Sequence, residues 1–116
     1  MKKLYILLFS TLVFACNRGD FPTPNGEEKT IELENMAIFK SGITVSFNEL
    51  KGDGIKLNVS NSVSSCSCDY KDVIFQIPNS KKAVQTTLQI RGKSYVVALK
   101  SVNKVNKTII VVVAEK

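Results

Sequence analysis

Two cysteines near the middle of the chain, Cys66 and Cys68, are the residues best suited to chemistry. They follow a serine-rich stretch, and a single residue separates them. A disulfide between them would close a very short and therefore strained ring, and strained disulfides tend to be reducible. Two thiolates could instead bind a soft metal such as Cu(I) or zinc. A third interpretation is structural, in which the pair staples a loop or lies buried as small thiols.

Groups that could complete a catalytic or metal site are scarce. The chain has no His, so Ser-His-Asp and Cys-His catalysis and every His-containing zinc site are excluded. After Met1 the remaining Met is Met36, and Asp69 is a poor ligand for a soft metal. Asp69 and Asp72 could pair as acid and base, although loop carboxylates at this spacing are usually solvated. We expect a protein that is not an enzyme and holds no cofactor or metal.

The third cysteine, Cys16, ends a segment typical of a secretion signal. Met1, Lys2 and Lys3 form a cationic start, and residues 4–15 are mostly apolar and uncharged. A helix needs about 20 such residues to span the hydrocarbon core of a membrane, so this run is too short for a transmembrane anchor. It fits the apolar region of a signal peptide, which we assign to residues 1–15.

The end of that segment, Val13-Phe14-Ala15-Cys16, resembles the lipobox of bacterial lipoproteins. A branched aliphatic residue stands three positions before the cysteine and a small residue directly before it, whereas Phe14 departs from the pattern. The resemblance covers the first sixteen residues. It implies attachment of diacylglycerol to Cys16, cleavage before it, and often acylation of the new amine. Two or three acyl chains anchor a protein durably, whereas one holds it marginally.

The lipobox resemblance also carries expectations about location. It places the protein at the bacterial cell envelope, with the membrane as a partner through the lipid on Cys16. Asp after the lipidated cysteine tends to retain lipoproteins of enteric bacteria at the inner membrane, and Asn17 occupies that position here. The outer membrane is therefore favoured in a Gram-negative source. The alternative is ordinary cleavage after Ala15, which would release a soluble protein with an unpaired cysteine.

Residues 16–30 are predicted to be the lipidated cysteine and a flexible tether. The stretch 17–30 contains two prolines, two glycines and five charged residues. Only Phe21 could contribute to a core, so ordering this segment would not offset its entropy. As a coil its ends would lie roughly 20 Å apart.

A β-rich domain is predicted over residues 31–116. Apolar and polar residues alternate there, as in Ile43, Val45 and Phe47, which is typical of strands with one buried side. Turn signals such as Gly92-Lys93 separate the strands. We predict an all-β fold, a small antiparallel β-sandwich of about seven strands of immunoglobulin-like type, with a small barrel as the alternative. The predicted strands are about 31–39, 43–50, 55–59, 73–77, 83–91, 94–102 and 108–114.

The last predicted strand, residues 108–114, is apolar on both faces. Such a strand at a sheet edge would invite aggregation, so we expect it to lie in the centre of its sheet. The alternative is that it pairs with a strand of another protein.

Basic residues are concentrated late in the chain. Residues 78–116 carry eight basic groups against Glu115 alone. They could attract anionic glycans, lipid headgroups or nucleic acid, but we interpret them as a solvated face, without a nucleic-acid partner. The basic groups are Lys81, Lys82, Arg91, Lys93, Lys100, Lys104, Lys107 and Lys116.

These observations favour a membrane-anchored envelope lipoprotein with a non-catalytic binding or structural module. Its expected ligand is a protein or a glycan. The alternative function is thiol-redox chemistry or soft-metal handling through Cys66 and Cys68.

Overall fold

The computed structural model describes residues 20–61 and 70–116, which form eight β-strands and no helix. Alternation of apolar and polar residues produces most of these strands, which then bury one face, whereas the last two strands bury side chains on both faces. The strands are β1 (Glu27–Glu32), β2 (Met36–Ile38), β3 (Ile43–Lys51), β4 (Gly54–Asn61), β5 (Tyr70–Gln76), β6 (Val84–Ile90), β7 (Lys93–Asn103) and β8 (Thr108–Glu115).

The strands form two antiparallel sheets of four, which confirms the predicted small β-sandwich. Sheet A has the order β1-β8-β7-β6, and sheet B has the order β2-β3-β4-β5. The sheets are separate layers, so the barrel alternative does not apply. Immunoglobulin domains connect their strands by Greek keys. Here each sheet is a meander, with β1 added beside β8, and the likeness to those domains is one of layered architecture.

The core lies between the two sheets and consists of the inward positions of each strand. In sheet B, Val45 pairs with Val59 and Phe47 with Leu57, and all four side chains are fully buried. Inward residues of β7 and β8 form the opposite layer of the core. Val97, Leu99 and Val111 in this layer are also fully buried. The buried residues of both layers form one cluster.

The predicted strand 31–39 is in fact two strands in different sheets. The chain turns after β1, where Glu34 adopts a positive φ of 70° and the Asn35 N–H donates to the Glu32 carbonyl over 3.0 Å. This turn carries the chain from sheet A to sheet B. A Glu at positive φ is uncommon, which explains why the residue types did not predict the break.

The predicted tether is wrong for residues 21–30. β1 begins at Glu27 and pairs with β8 along its length, from Glu27 opposite Val113 to Glu32 opposite Thr108. Phe21 is buried in the core with 5% exposure, and its N–H donates to the Lys100 carbonyl over 2.7 Å. The aromatic burial and the strand ladder together offset the entropy cost of ordering this segment.

The central position predicted for the last strand is confirmed. β8 lies between β1 and β7 and pairs with both. Both of its edges are therefore occupied, which excludes the alternative that β8 pairs with a strand of another protein.

Candidate binding surface

The residues singled out for chemistry lie outside the described part of the chain. This holds for Cys16 and for Cys66, Cys68 and Asp69 in the segment 62–69. Their lipid, redox and metal roles remain predictions. The segment 62–69 joins the last residue of β4, Asn61, to the first residue of β5, and Ser60 pairs with Tyr70 at this end of sheet B.

Asp72, the proposed partner of Asp69, lies on β5. Its Oδ1 accepts a hydrogen bond from Asn58 Nδ2 over 3.0 Å. Within residues 20–61 and 70–116, no group of three or more His, Cys, Asp or Glu side chains could hold a metal ion. Over the same residues, no helix is long and apolar enough to cross a membrane.

Large apolar side chains are exposed on the outer face of sheet B, by which we mean the side of β2–β5 that points away from the core. Met36 and Ile38 on β2 are 63% and 60% exposed, and Tyr70 and Ile74 on β5 are 55% and 67% exposed. Their outward direction follows from the alternation of side chains along each strand. Ile74, for example, lies between the buried residues Val73 and Phe75 of β5.

The strand register places these four side chains along the two margins of the outer face of sheet B. Met36 lies opposite Ser46, and the row continues through Asn58 to Asp72. A second row runs from Ile38 through Thr44 and Ser60 to Tyr70, and a third from Glu49 through Lys56 to Ile74. The face therefore has a polar centre between two apolar margins.

Thr44 in that polar centre is unusual because it is only 5% exposed. Its Oγ1 is buried and has no hydrogen-bond partner among the described residues. A buried hydroxyl without a partner costs stability. Thr44, in the centre of the outer face of sheet B, is therefore shielded from solvent, whereas the apolar side chains at the margins are exposed.

A shallow depression of about 200 Å³ lies at the β5 margin. Among the residues that line it, Ile74 supplies exposed apolar surface, whereas Ile55 is only 1% exposed. Glu49, Lys51 and Lys56 place charges of both signs beside it. Such a depression can accept one apolar side chain and pair with a charge on either side of it.

The central apolar side chains on the outer face of sheet A are buried, unlike the apolar residues at the margins of the outer face of sheet B. Val96, Ala98 and Val112 are 9%, 0% and 3% exposed. The Lys100 side chain, at a bulge of β7, crosses β8 to reach Glu28 on β1, with 2.7 Å between Nζ and Oε1. The outer face of sheet A therefore carries a charged pair, whereas the outer face of sheet B carries exposed apolar residues.

The contact with Glu28 also shifts the pKa of Lys100. The hydrogen bond to Glu28 and the charge of that carboxylate raise the pKa of Lys100 above its usual value of 10.5. Because the folded-state pKa is the higher one, the contribution that depends on protonated Lys100 is fully present well below pH 10.5. That contribution is lost as the pH rises through the raised pKa.

Alternation of apolar and polar residues predicted strands with one buried side, but it did not predict the apolar margins of the outer face of sheet B. The available signal was an apolar residue at an outward position of the alternating pattern, as at Ile74. Ile38 gives no such signal, because the predicted strand 31–39 joins β1 and β2 into one strand.

Comparisons with known proteins assign neither a family nor a function to the chain. No protein-family model matches the chain, and neither a curated protein nor a solved structure matches it.

Proposed function

We propose that this chain is a lipid-anchored protein of the bacterial cell envelope whose β-sandwich binds another protein through the outer face of sheet B. The observation that carries the binding function is the exposure of Met36, Ile38, Tyr70 and Ile74 on that one face, at 55–67% each. Exposed apolar patches mark interaction sites, and on this face the apolar residues flank a polar strip instead of being rimmed by polar residues. Among the described residues, the remaining large apolar side chain with high exposure is Val105, in the turn between β7 and β8.

The residue types on the outer face of sheet B favour a protein ligand. Tyr and Met are enriched in protein interfaces. The Asn58–Asp72 pair and the serines between the margins provide donors and acceptors for such an interface. A glycan, whose sugar rings stack on aromatic side chains, is the alternative ligand, with Tyr70 as the aromatic residue that it would contact.

The anchor is proposed from the leader and from Cys16. Because Phe21 belongs to the core, the chain between Cys16 and the folded domain is limited to residues 17–20. Five extended residue steps span about 17 Å. A lipid on Cys16 would therefore hold the β-sandwich close to the headgroups, where it meets other envelope proteins.

Mass spectrometry of the protein purified from native membranes tests the anchor. We expect a chain that begins at Cys16 and carries diacylglycerol on its sulfur. The variant Cys16→Ser should lack the lipid and leave the membrane fraction, because no acyl chain remains to anchor it. A bare Cys16, or a retained leader, would refute the anchor and leave the binding proposal standing.

A photo-crosslinking amino acid on the surface tests the binding face. Placed at Ile74 or Met36 in living cells, it should form a crosslink with one defined protein. The matched control is the same amino acid at Val105, which is 77% exposed but lies in the turn between β7 and β8. The variant Ile74→Asp should abolish the crosslink formed from position 36. Crosslinks of equal yield from all three positions would contradict a specific face.

A further inference from the structure

β6 is the sheet edge with the least protection against pairing. The four edge strands of the described sheets are β1, β2, β5 and β6. Proteins usually protect such edges with charges, prolines, bulges or short strands. β1 has four charged residues, β2 has three residues in all, and β5 carries Lys71 and Asp72. β6, with the sequence VQTTLQI, has seven residues without a charge or a proline, and its pairing with β7 has no bulge.

The hairpin between β6 and β7 determines which backbone groups face the open side. Ile90 pairs with Lys93 across a two-residue turn, in which Arg91 and Gly92 have φ values of 55° and 79°. In such a turn the two flanking residues hydrogen-bond each other. Bonded and non-bonded pairs then alternate along the ladder.

The alternation directs the N–H and C=O groups of three residues, Gln85, Thr87 and Gln89, away from β7. Their side chains are exposed as well. None of the described backbone hydrogen bonds outside the ladders involves these residues. Among the described residues nothing pairs with the open edge of β6, by which we mean these six backbone groups, so an added strand could bind there.

The core beneath the open edge of β6 is incompletely covered. Thr86 and Leu88 lie on the inward side of β6, and both are only half-buried. Val97, which lies opposite Thr86 on β7, is fully buried. A further strand beside β6 would extend sheet A and cover these two side chains, which adds apolar burial to the new hydrogen bonds.

Basic residues stand at both ends of β6. Exposed Lys81 and Lys82 precede the strand, whereas Arg91 in the hairpin turn and Lys93, the first residue of β7, follow it. Glu115 lies 3.6 Å from Lys93 and offsets part of that charge. Pairing of β6 with the β6 of a second copy would bring cations opposite cations at both ends, in the parallel as well as the antiparallel orientation. Like charges at facing positions are destabilising.

From these observations we propose that the open edge of β6 accepts an extended segment of a partner protein, with an uncharged, β-branched middle and acidic residues at both ends. The segment forms a fifth strand of sheet A. Its backbone bonds to Gln85, Thr87 and Gln89, and its carboxylates lie beside the basic residues at the strand ends, which is strand addition with charge-based selection. This proposal concerns a different surface from the outer face of sheet B and does not depend on the lipid anchor.

The test uses the purified full chain and a synthetic peptide of alternating Thr and Val residues with two Glu residues at each end. We expect saturable binding, measured by fluorescence anisotropy, with amide shifts in NMR spectra centred on Gln85, Thr87 and Gln89. The variant Thr87→Pro removes one outward donor without breaking the ladder to β7, and should weaken binding about fivefold or more. Thr87→Ala keeps the N–H and should bind as the unmodified protein does.

The charge part of the proposal has its own variants. Lys82→Glu should weaken binding of the Glu-ended peptide several-fold. Added salt should weaken binding of this peptide to the unmodified protein. Lys40→Glu makes the same change of charge in the loop between β2 and β3, on the other side of the sandwich, and should leave binding unchanged. A peptide with Lys in place of Glu should bind more weakly than the Glu-ended one.

Three outcomes would overturn the proposal. The first is that the Glu-ended peptide does not bind, and the second is that it binds Thr87→Pro as tightly as Thr87→Ala, with both variants folded by circular dichroism. The third is a concentration-dependent dimer that Thr87→Pro dissolves, which would assign the open edge of β6 to a second copy of the chain.

Discussion

Phe21 lies ten residues before the alternating pattern that begins at Ile31, and a single apolar residue among prolines, glycines and charges predicts a tether. In the fold its side chain is nevertheless 5% exposed and belongs to the core cluster. Its N–H bonds to β7 through the Lys100 carbonyl. One aromatic residue therefore shifts the start of the domain and shortens the spacer to the proposed anchor.

We expect Phe21→Ala to lower the free energy of unfolding by about 3 kcal/mol, since truncating a buried Phe loses its burial and leaves a cavity. Urea denaturation followed by circular dichroism measures the change. The control is Val105→Ala, at a side chain that is 77% exposed, which should stay within about 0.5 kcal/mol of the unmodified protein. An equal, small effect of both variants would mean that Phe21 is not part of the core.

At the scale of elements, β1 and β8 depend on each other. β8 is apolar on both faces, and β1 covers one of its edges with a strand that carries Glu27, Glu28 and Lys29. Register decides which side chain of β1 enters the core, because a shift by one residue exchanges the two faces. Ile31 is 2% exposed and pairs with Ile109, whereas Thr30 faces solvent and pairs with Ile110.

Ile31→Lys should therefore destabilise the protein by about 3 kcal/mol or more, because it places an unpaired charge in the core. Release of β1 would also uncover β8, so light scattering should report aggregation. Thr30→Lys introduces the same side chain on the outer face between Glu28 and Glu32, and should change stability by less than about 1 kcal/mol. Urea denaturation ranks the two variants, and the reverse ranking would show that β1 pairs one residue out of register.

Over the whole molecule, the two sheets are joined by their shared core and by an ion pair at one end. Lys104 is in the hairpin between β7 and β8, and Asp53 is in the hairpin between β3 and β4. Their Nζ and Oδ1 atoms are 2.6 Å apart, and the two side chains are 39% and 42% exposed. The Asp53 carbonyl also accepts the Ile77 N–H over 2.8 Å, where the chain leaves sheet B.

A double-mutant cycle with Lys104→Gln and Asp53→Asn should give a coupling of about 0.2–1 kcal/mol in thermal unfolding, because both groups are partly solvated. The coupling should shrink in about 1 M salt, where the Debye length is about 3 Å. A coupling that high salt leaves intact would contradict a solvent-screened pair.

The local features of the fold follow from the order of residues along the chain. Alternation marked most strands, Gly92 marked the tight hairpin, and the apolar run 108–114 required a central position in its sheet. Each of these depends on neighbouring residues, because a strand with period-2 patterning has one buried face whatever lies across from it. The prediction for Cys16 rests on the lipobox resemblance, and those for Cys66 and Cys68 rest on their spacing.

The tertiary structure alone decided how the strands are distributed. It split the predicted first strand between two sheets at Glu34, brought Phe21 into the core, and left β6 as an edge. It also placed Ile38 and Tyr70 in one row of the outer face of sheet B, although they are far apart in sequence. Alternation assigns a side chain to a face but does not choose the strand's neighbours. That choice depends on how the whole chain fills one core.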